Sequence, residues 1–235
     1  MTILVGCSGW SYDDWVHRFY PTELAKKKGD WFAYYAEYFQ TVEINSTFYR
    51  PPTEIQVNSW INKAKNKEDF EFSVKMPQLV TQKSMVEKDA GKAIFWATSF
   101  EKTFVKPLAD AGLLGCVLLQ LSPFVKKEGQ ALGILRSTLD SISHENFNYA
   151  VEFRHRSWLG EDNKEVDSAA LEILKERNIA NVLVDGPGLF VTSNPASHAY
   201  VRFHGRNYDI WYKQEKENDH RLDRYDYQNE NYQYI

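Results

Sequence analysis

Three runs decide the fold: Val151-Glu152-Phe153-Arg154, Val42-Glu43-Ile44-Asn45 and Val201-Arg202-Phe203-His204. Each alternates apolar and polar residues with a period of two, the mark of an extended strand with two unlike faces. The apolar face carries Val42 and Ile44, Phe72 and Val74, Val151 and Phe153, Val201 and Phe203. The opposite face is polar toward the end of each strand: Glu43 with Asn45, Ser73 with Lys75, Glu152 with Arg154, Arg202 with His204. In a barrel, one parity packs on an outer helical layer and the other looks into the interior. The polar parity is therefore expected at the mouth of a barrel.

Working outward, strands are expected over residues 3–7, 41–45, 70–75, 115–121, 149–154, 180–185 and 198–204. Helical stripes fall between them. Trp31, Tyr35 and Tyr38 form one, and Val57, Trp60, Ile61 and Ala64 another, behind a Thr53-to-Gln56 capping-box spacing. A third runs over 94–108, a fourth through Leu132, Leu135, Leu139 and Ile142, and a fifth through Ala170, Leu171 and Leu174 behind Asp167. Strand alternating with helix makes an α/β fold with a parallel sheet. At 235 residues the chain suits a single TIM (β/α) barrel with seven legible strands, open or truncated at the eighth. Residues 1–206 are expected to form the barrel, and 207–235 an irregular aromatic and polar tail of the same domain. If no eighth strand forms, the first and seventh keep unpaired edges.

Barrel enzymes gather their working groups at the C-terminal ends of the strands. Adding Gln120 and Asp185, ten polar residues lie at these ends, seven of them ionisable. Glu43, Glu152 and Asp185 oppose Lys75, Arg154 and Arg202, with His204 titratable. Buried charges must pair with one another or serve a ligand, so a structural ion-pair layer stands as the alternative to a site. As a site, Glu43, Glu152, His204 and Asp185 are the proton carriers. Lys75, Gln120, Arg154 and Arg202 bind substrate with Asn45. The following loops add Trp10, Tyr49, Arg50, His155, Trp158 and Arg206 as a rim, where aromatic faces beside guanidinium groups suit a sugar or nucleobase attached to an anion.

A net charge of −4 and a pI near 5.9 disfavour a nucleic-acid backbone or an anionic membrane as partner. No run of about 18 apolar residues is present, and no charged leader precedes an apolar stretch, so a cytoplasmic protein is expected. Cys7 and Cys116 sit in apolar strand patterns as reduced packing residues. No His-x-x-x-His pair or cysteine cluster appears, and Arg and Lys among the carboxylates would repel a cation, so neither a metal nor a cofactor is expected. Gly6-x-x-Gly9 is too short for a dinucleotide fingerprint, and neither a P-loop nor a nucleophile elbow occurs.

These residues resemble the YecE-like family, a domain of unknown function with a TIM-barrel fold. The resemblance rests on Gly6-Cys7-Ser8-Gly9-Trp10, on Val42 through Arg50, on Phe72-Ser73-Val74-Lys75 and Gln120-Leu121, on Val151 through Trp158, and on Tyr200 through Arg206. Three features depart from it. Thr81 is followed by Gln82 instead of His, Gln120-Leu121 by Ser122-Pro123 instead of Pro-Pro, and the family's last strand and helix have no counterpart before Ile235. The resemblance implies a fold and a shared site, without an activity.

Three functions are compatible with this reading. The first is a metal-independent acid/base enzyme on a small anionic substrate, of sugar-phosphate or nucleotide type. The second is a nucleic-acid-binding barrel, by analogy of fold with barrel endonucleases. The third is a metabolite sensor without turnover.

Overall fold

A computed structural model describes residues 2–161, 164–186 and 189–204. Strands β1 (Gly6–Cys7), β2 (Thr41–Ile44), β3 (Glu71–Lys75), β4 (Leu114–Gln120), β5 (Asn148–Glu152) and β6 (Ala180–Asn181) form one sheet, parallel throughout and in chain order. Past Val182 the sixth barrel strand continues as β7 (Leu183–Gly186). It pairs antiparallel with β8 (Leu189–Val191) and parallel with β9 (Val201–Phe203). The seven expected strands are thus present in sequential neighbour order, and β8 is an added hairpin arm. Among the described residues β1 and β9 do not pair with each other, and no closed barrel forms. Arg206 and the 207–235 tail lie outside the described residues.

The connections are helical: α1 (Trp31–Tyr35), α2 (Ser46–Tyr49), α3 (Glu54–Ala64), α4 (Met85–Glu87), α5 (Ala90–Phe100), α6 (Lys106–Asp110), α7 (Ala131–Asp140) and α8 (Ser168–Lys175). The capping box forms on α3: Gln56 N–H donates to Thr53 Oγ1 at 3.3 Å, and Thr53 N–H to Gln56 Oε1 at 2.9 Å. Asp167 caps α8 through the amides of Ala169 and Ala170. The helix expected over 94–108 forms as one continuous helical run, in which a π-helical segment, Glu101–Val105, joins α5 to α6. Helix α1 stops before Tyr38, which is exposed and packs edge-wise on Phe19.

Parity holds across the central sheet. Val42, Ile44, Phe72, Val74, Val117, Leu119 and Val151 are buried in the main core shared with the helices. Cys116, Leu118, Ala150, Ala180, Val182 and Val184 form a separate inner cluster, with Tyr200 packed against it. That cluster is the apolar floor of the interior, and the polar strand ends lie above it.

At the two flanks the apolar parity is exposed. Ile3 and Val5 are exposed and precede a strand reduced to Gly6–Cys7, and Val201 and Phe203 are 48% and 63% exposed. Patterning reports a strand's faces, but burial needs a covering layer, and these residues lie in or beside the edge strands of the described sheets. Gly6 is required by contact: a Cβ there would sit 2.0 Å from the Thr41 carbonyl oxygen.

Candidate functional site

The floor residues bring their strand-end neighbours together. Strand β2 delivers Glu43, β3 Lys75, β4 Gln120, β5 Glu152, and β9 Arg202. Arg202 is the hub. Its Nη1 donates to Glu152 Oε2 at 2.7 Å and its Nη2 to Glu43 Oε1 at 3.0 Å. Glu152 is fully buried and also accepts two hydrogen bonds from Gln120 Nε2 at 2.9 Å. Arg154 approaches its Oε1 more loosely, Nη1 at 3.5 Å, and His204 Nε2 lies 4.0 Å from the same oxygen.

Glu43 is equally engaged. Its Oε1 accepts Ser8 Oγ–H at 2.8 Å, and its Oε2 accepts the Tyr200 hydroxyl at 2.7 Å. Asn45 closes this side by donating to Ser8 Oγ, while its buried Oδ1 has no hydrogen-bond partner among the described residues. All four carboxylate oxygens of Glu43 and Glu152 therefore already accept protein donors.

Lys75 is the contrast. It is 9% exposed and makes no side-chain hydrogen bond or ion pair among the described residues. Its Nζ lies 4.2 Å from the centroid of the Phe48 ring. Its backbone is fixed, because the Lys75 carbonyl accepts Thr47 Oγ1–H at 2.6 Å.

Titration follows from these surroundings. Burial pushes the Lys75 ammonium below the usual lysine range; Arg202 and Arg154 add to this, and Glu43 and Glu152 oppose it. Burial disfavours the Glu152 anion, yet Arg202, Arg154 and the Gln120 amide outweigh it and hold the carboxyl below its ordinary value. Burial, then the Arg202 charge, lowers His204. Burial, then Glu43, raises Tyr200 well above a free phenol, so it stays a donor. Arg202 is cationic above its already high range, the two carboxylates outweighing burial.

The sequence-expected residues divide accordingly. Glu43, Asn45, Lys75, Gln120, Glu152, Arg154, Arg202 and His204 converge. Asp185 is buried but has the parity of Asn181, opposite to the interior-facing Ala180, Val182 and Val184. Its backbone carbonyl accepts His204 N–H at 2.8 Å.

The aromatic rim is mostly packing. Trp158 is fully buried, stacks on Phe153 and donates Nε1–H to the Val125 carbonyl. Trp10 packs edge-on against Phe32. Tyr49 and Arg50 are exposed and make no hydrogen bond or ion pair with the cluster. His155 accepts from Ser157 N–H through Nδ1 and caps a short 3-10 turn. Aromatic side chains serve packing as readily as binding, and composition does not separate the two.

Sequence reasoning missed Ser8 and Tyr200 as ligands of Glu43, and Phe48 as the surface under Lys75. Tyr200 was findable, since it shares the parity of Arg202 and His204. A cleft of about 640 Å³, lined by Pro51, Pro52, Trp96, Phe100 and Pro107, lies apart from the cluster and includes none of its residues. Among the described residues there is no group of three or more His, Cys, Asp or Glu fit to hold a metal, and no helix long and apolar enough to cross a membrane.

The family model described as protein of unknown function DUF72 matches residues 4–234. The chain belongs to the DUF72 family. It is 27% identical over 220 residues to the UPF0759 protein YunF of Bacillus subtilis, covering 90% of this chain and 73% of YunF. It is 29% identical over 186 residues to the UPF0759 protein YecE of Escherichia coli, covering 78% of this chain and 59% of YecE. A crystal structure of a DUF72 family protein from Thermotoga maritima superposes with a TM-score of 0.73 at 29% identity, over 90% of this chain and 77% of that one. The fold also matches a DUF72 family protein from Enterococcus faecalis, with a TM-score of 0.69 at 22% identity over 89% of this chain and 73% of that one. As a DUF72 protein the chain has a TIM-like barrel architecture, in agreement with the parallel sheet.

Proposed function

We propose that this DUF72 protein is an acid/base enzyme that acts, without an obligatory metal, on a small anionic substrate of the sugar-phosphate or nucleotide type. One observation carries the reading: the carboxylate oxygens of the cluster are filled, and the donors of Lys75 and Arg154 are not. Every oxygen of Glu43 and Glu152 is engaged, whereas Lys75 and most of the Arg154 guanidinium keep unused N–H groups among the described residues. A ligand completing this set must bring acceptors, and an anion brings the strongest.

In this reading Arg154 receives the anionic group, and Lys75 adds N–H donors beside it. Arg202 is spent on holding the two carboxylates and fixes the shape of the pocket. Glu43 and Glu152, engaged by donors, act as oriented negative charges. Proton transfer near neutral pH then falls to His204, whose lowered affinity for a proton makes it a base in its resting form. Glu152, 4.0 Å from its Nε2, stabilises the imidazolium that forms.

A thermal-shift screen of sugar phosphates and nucleotides, followed by product analysis of each hit, tests this reading. The expected result is a stabilising ligand that is converted to product, with conversion lost in His204→Gln. A stabilising ligand that is never converted would make the protein a sensor. Stabilisation by nucleic acid with a steep salt dependence would favour the endonuclease-like alternative.

A further inference from the structure

We propose that Lys75 is a nucleophile that forms a Schiff base with a carbonyl group of the substrate, which narrows the substrate class to small anionic aldehydes or ketones, such as 2-oxo acids and keto-sugar phosphates. This rests on the anionic-substrate reading above and adds a covalent step to it.

The placement of Lys75 carries the inference. A lysine kept inside a barrel for structure would pair with a carboxylate, and two are close enough to act on it electrostatically. Both have instead been taken by Arg202, Gln120, Ser8 and Tyr200. The amine is left against the Phe48 face at 4.2 Å, with guanidinium groups of Arg154 and Arg202 as its cationic neighbours. Burial and neighbouring cations lower an amine's hold on its proton and so favour the form whose free lone pair attacks a carbonyl. Burial acts on this amine in that direction. The Thr47 hydrogen bond to the Lys75 carbonyl and the strand pairing of β3 on both edges fix where the side chain starts.

The Nζ lone pair forms a C–N bond while the carbonyl π pair moves to oxygen. One proton passes from nitrogen to that oxygen, giving the carbinolamine. The hydroxyl takes up one further proton from solvent and leaves as water, while the nitrogen lone pair closes the C=N bond of a protonated imine. Arg154 is placed to hold the anionic group during these steps.

The test uses glyoxylate as probe carbonyl and sodium cyanoborohydride as reductant on the folded wild-type protein near neutral pH. Hydride reduction converts the imine into a stable carboxymethyl-lysine, located by peptide mapping. Lys75 is expected to label severalfold faster than the exposed Lys26 and Lys27, and this preference should vanish in urea. Lys75→Met should remove that label alone, though the wild-type map decides the matter without the variant. Labelling of Lys75 no faster than Lys26, or its absence, overturns the proposal. Stabilisation by inorganic phosphate is read in parallel. If it persists while Lys75 stays unlabelled, only the covalent step falls; if both are absent, the anion site falls with it.

Discussion

Arg202 Nη1 donates to Glu152 Oε2 at 2.7 Å across the interior, joining β9 to β5, which is not its neighbour in the sheet. The same guanidinium reaches Glu43 on β2, so one side chain ties three strands together over an open edge. Removing it strands two buried carboxylates. Arg202→Ala is expected to cost about 3–5 kcal/mol in urea unfolding, the usual penalty for breaking a buried pair. Adding Glu43→Gln and Glu152→Gln should return part of that loss. A cost below about 1 kcal/mol would mean that the cluster is open to water.

Acid should destabilise the protein in two stages. The folded-state affinity of His204 for a proton is lowered, so its contribution is complete above its unfolded value of about 6.5 and is lost as pH falls through the window below it. Glu152 is also depressed; its contribution holds above the unfolded carboxyl value of about 4.3 and is lost as pH falls toward its folded value. Melting temperature measured against pH should therefore begin to decline below about 6.5, and His204→Gln should abolish that first decline while sparing the second.

Lys75→Met should stabilise the fold. The substitution keeps the chain's length and apolar stem, and it removes a buried amine that makes no hydrogen bond or ion pair among the described residues. A gain of roughly 0.5–2 kcal/mol in chemical unfolding is expected, the range common when a functional group is replaced by a packing one. A loss of similar size would assign Lys75 to the architecture instead.

Gly6→Ala tests the local geometry of the first strand. With the new Cβ 2.0 Å from the Thr41 oxygen, β1 cannot keep its register with β2. A loss of about 1–3 kcal/mol is expected from this overpacking, with Ser8 drawn away from Glu43. Retained stability would show that the edge strand has room to move.

Much of the fold was legible because the sheet interior obeys strict alternation. Val42, Phe72, Val117 and Val151 face the helices, and Glu43, Lys75, Gln120 and Glu152 face inward, as period two requires. Reading failed where burial depends on a neighbour that pattern cannot supply, as at Ile3, Val5, Val201 and Phe203. Asp185 also ends a strand, but at the parity opposite to the inward-facing Val182 and Val184. Trp158 and Trp10 looked like a binding rim because aromatic residues at strand ends read alike whether they pack or bind. What pairs with what was not legible either, since the choice of Arg202 over Lys75 as partner of the carboxylates depends on three-dimensional reach.

The proposed anion site offers the donors of Arg154 and Lys75 that are unused among the described residues. Calorimetric titration of inorganic phosphate into the wild-type protein, Arg154→Gln and Lys102→Gln, Lys102 lining the separate cleft, is the decisive measurement. The account predicts one saturable site, weakened about tenfold or more by Arg154→Gln, as expected for a lost charge-assisted hydrogen bond, and unchanged by Lys102→Gln. No saturable binding, or binding that Arg154→Gln leaves intact, would contradict it.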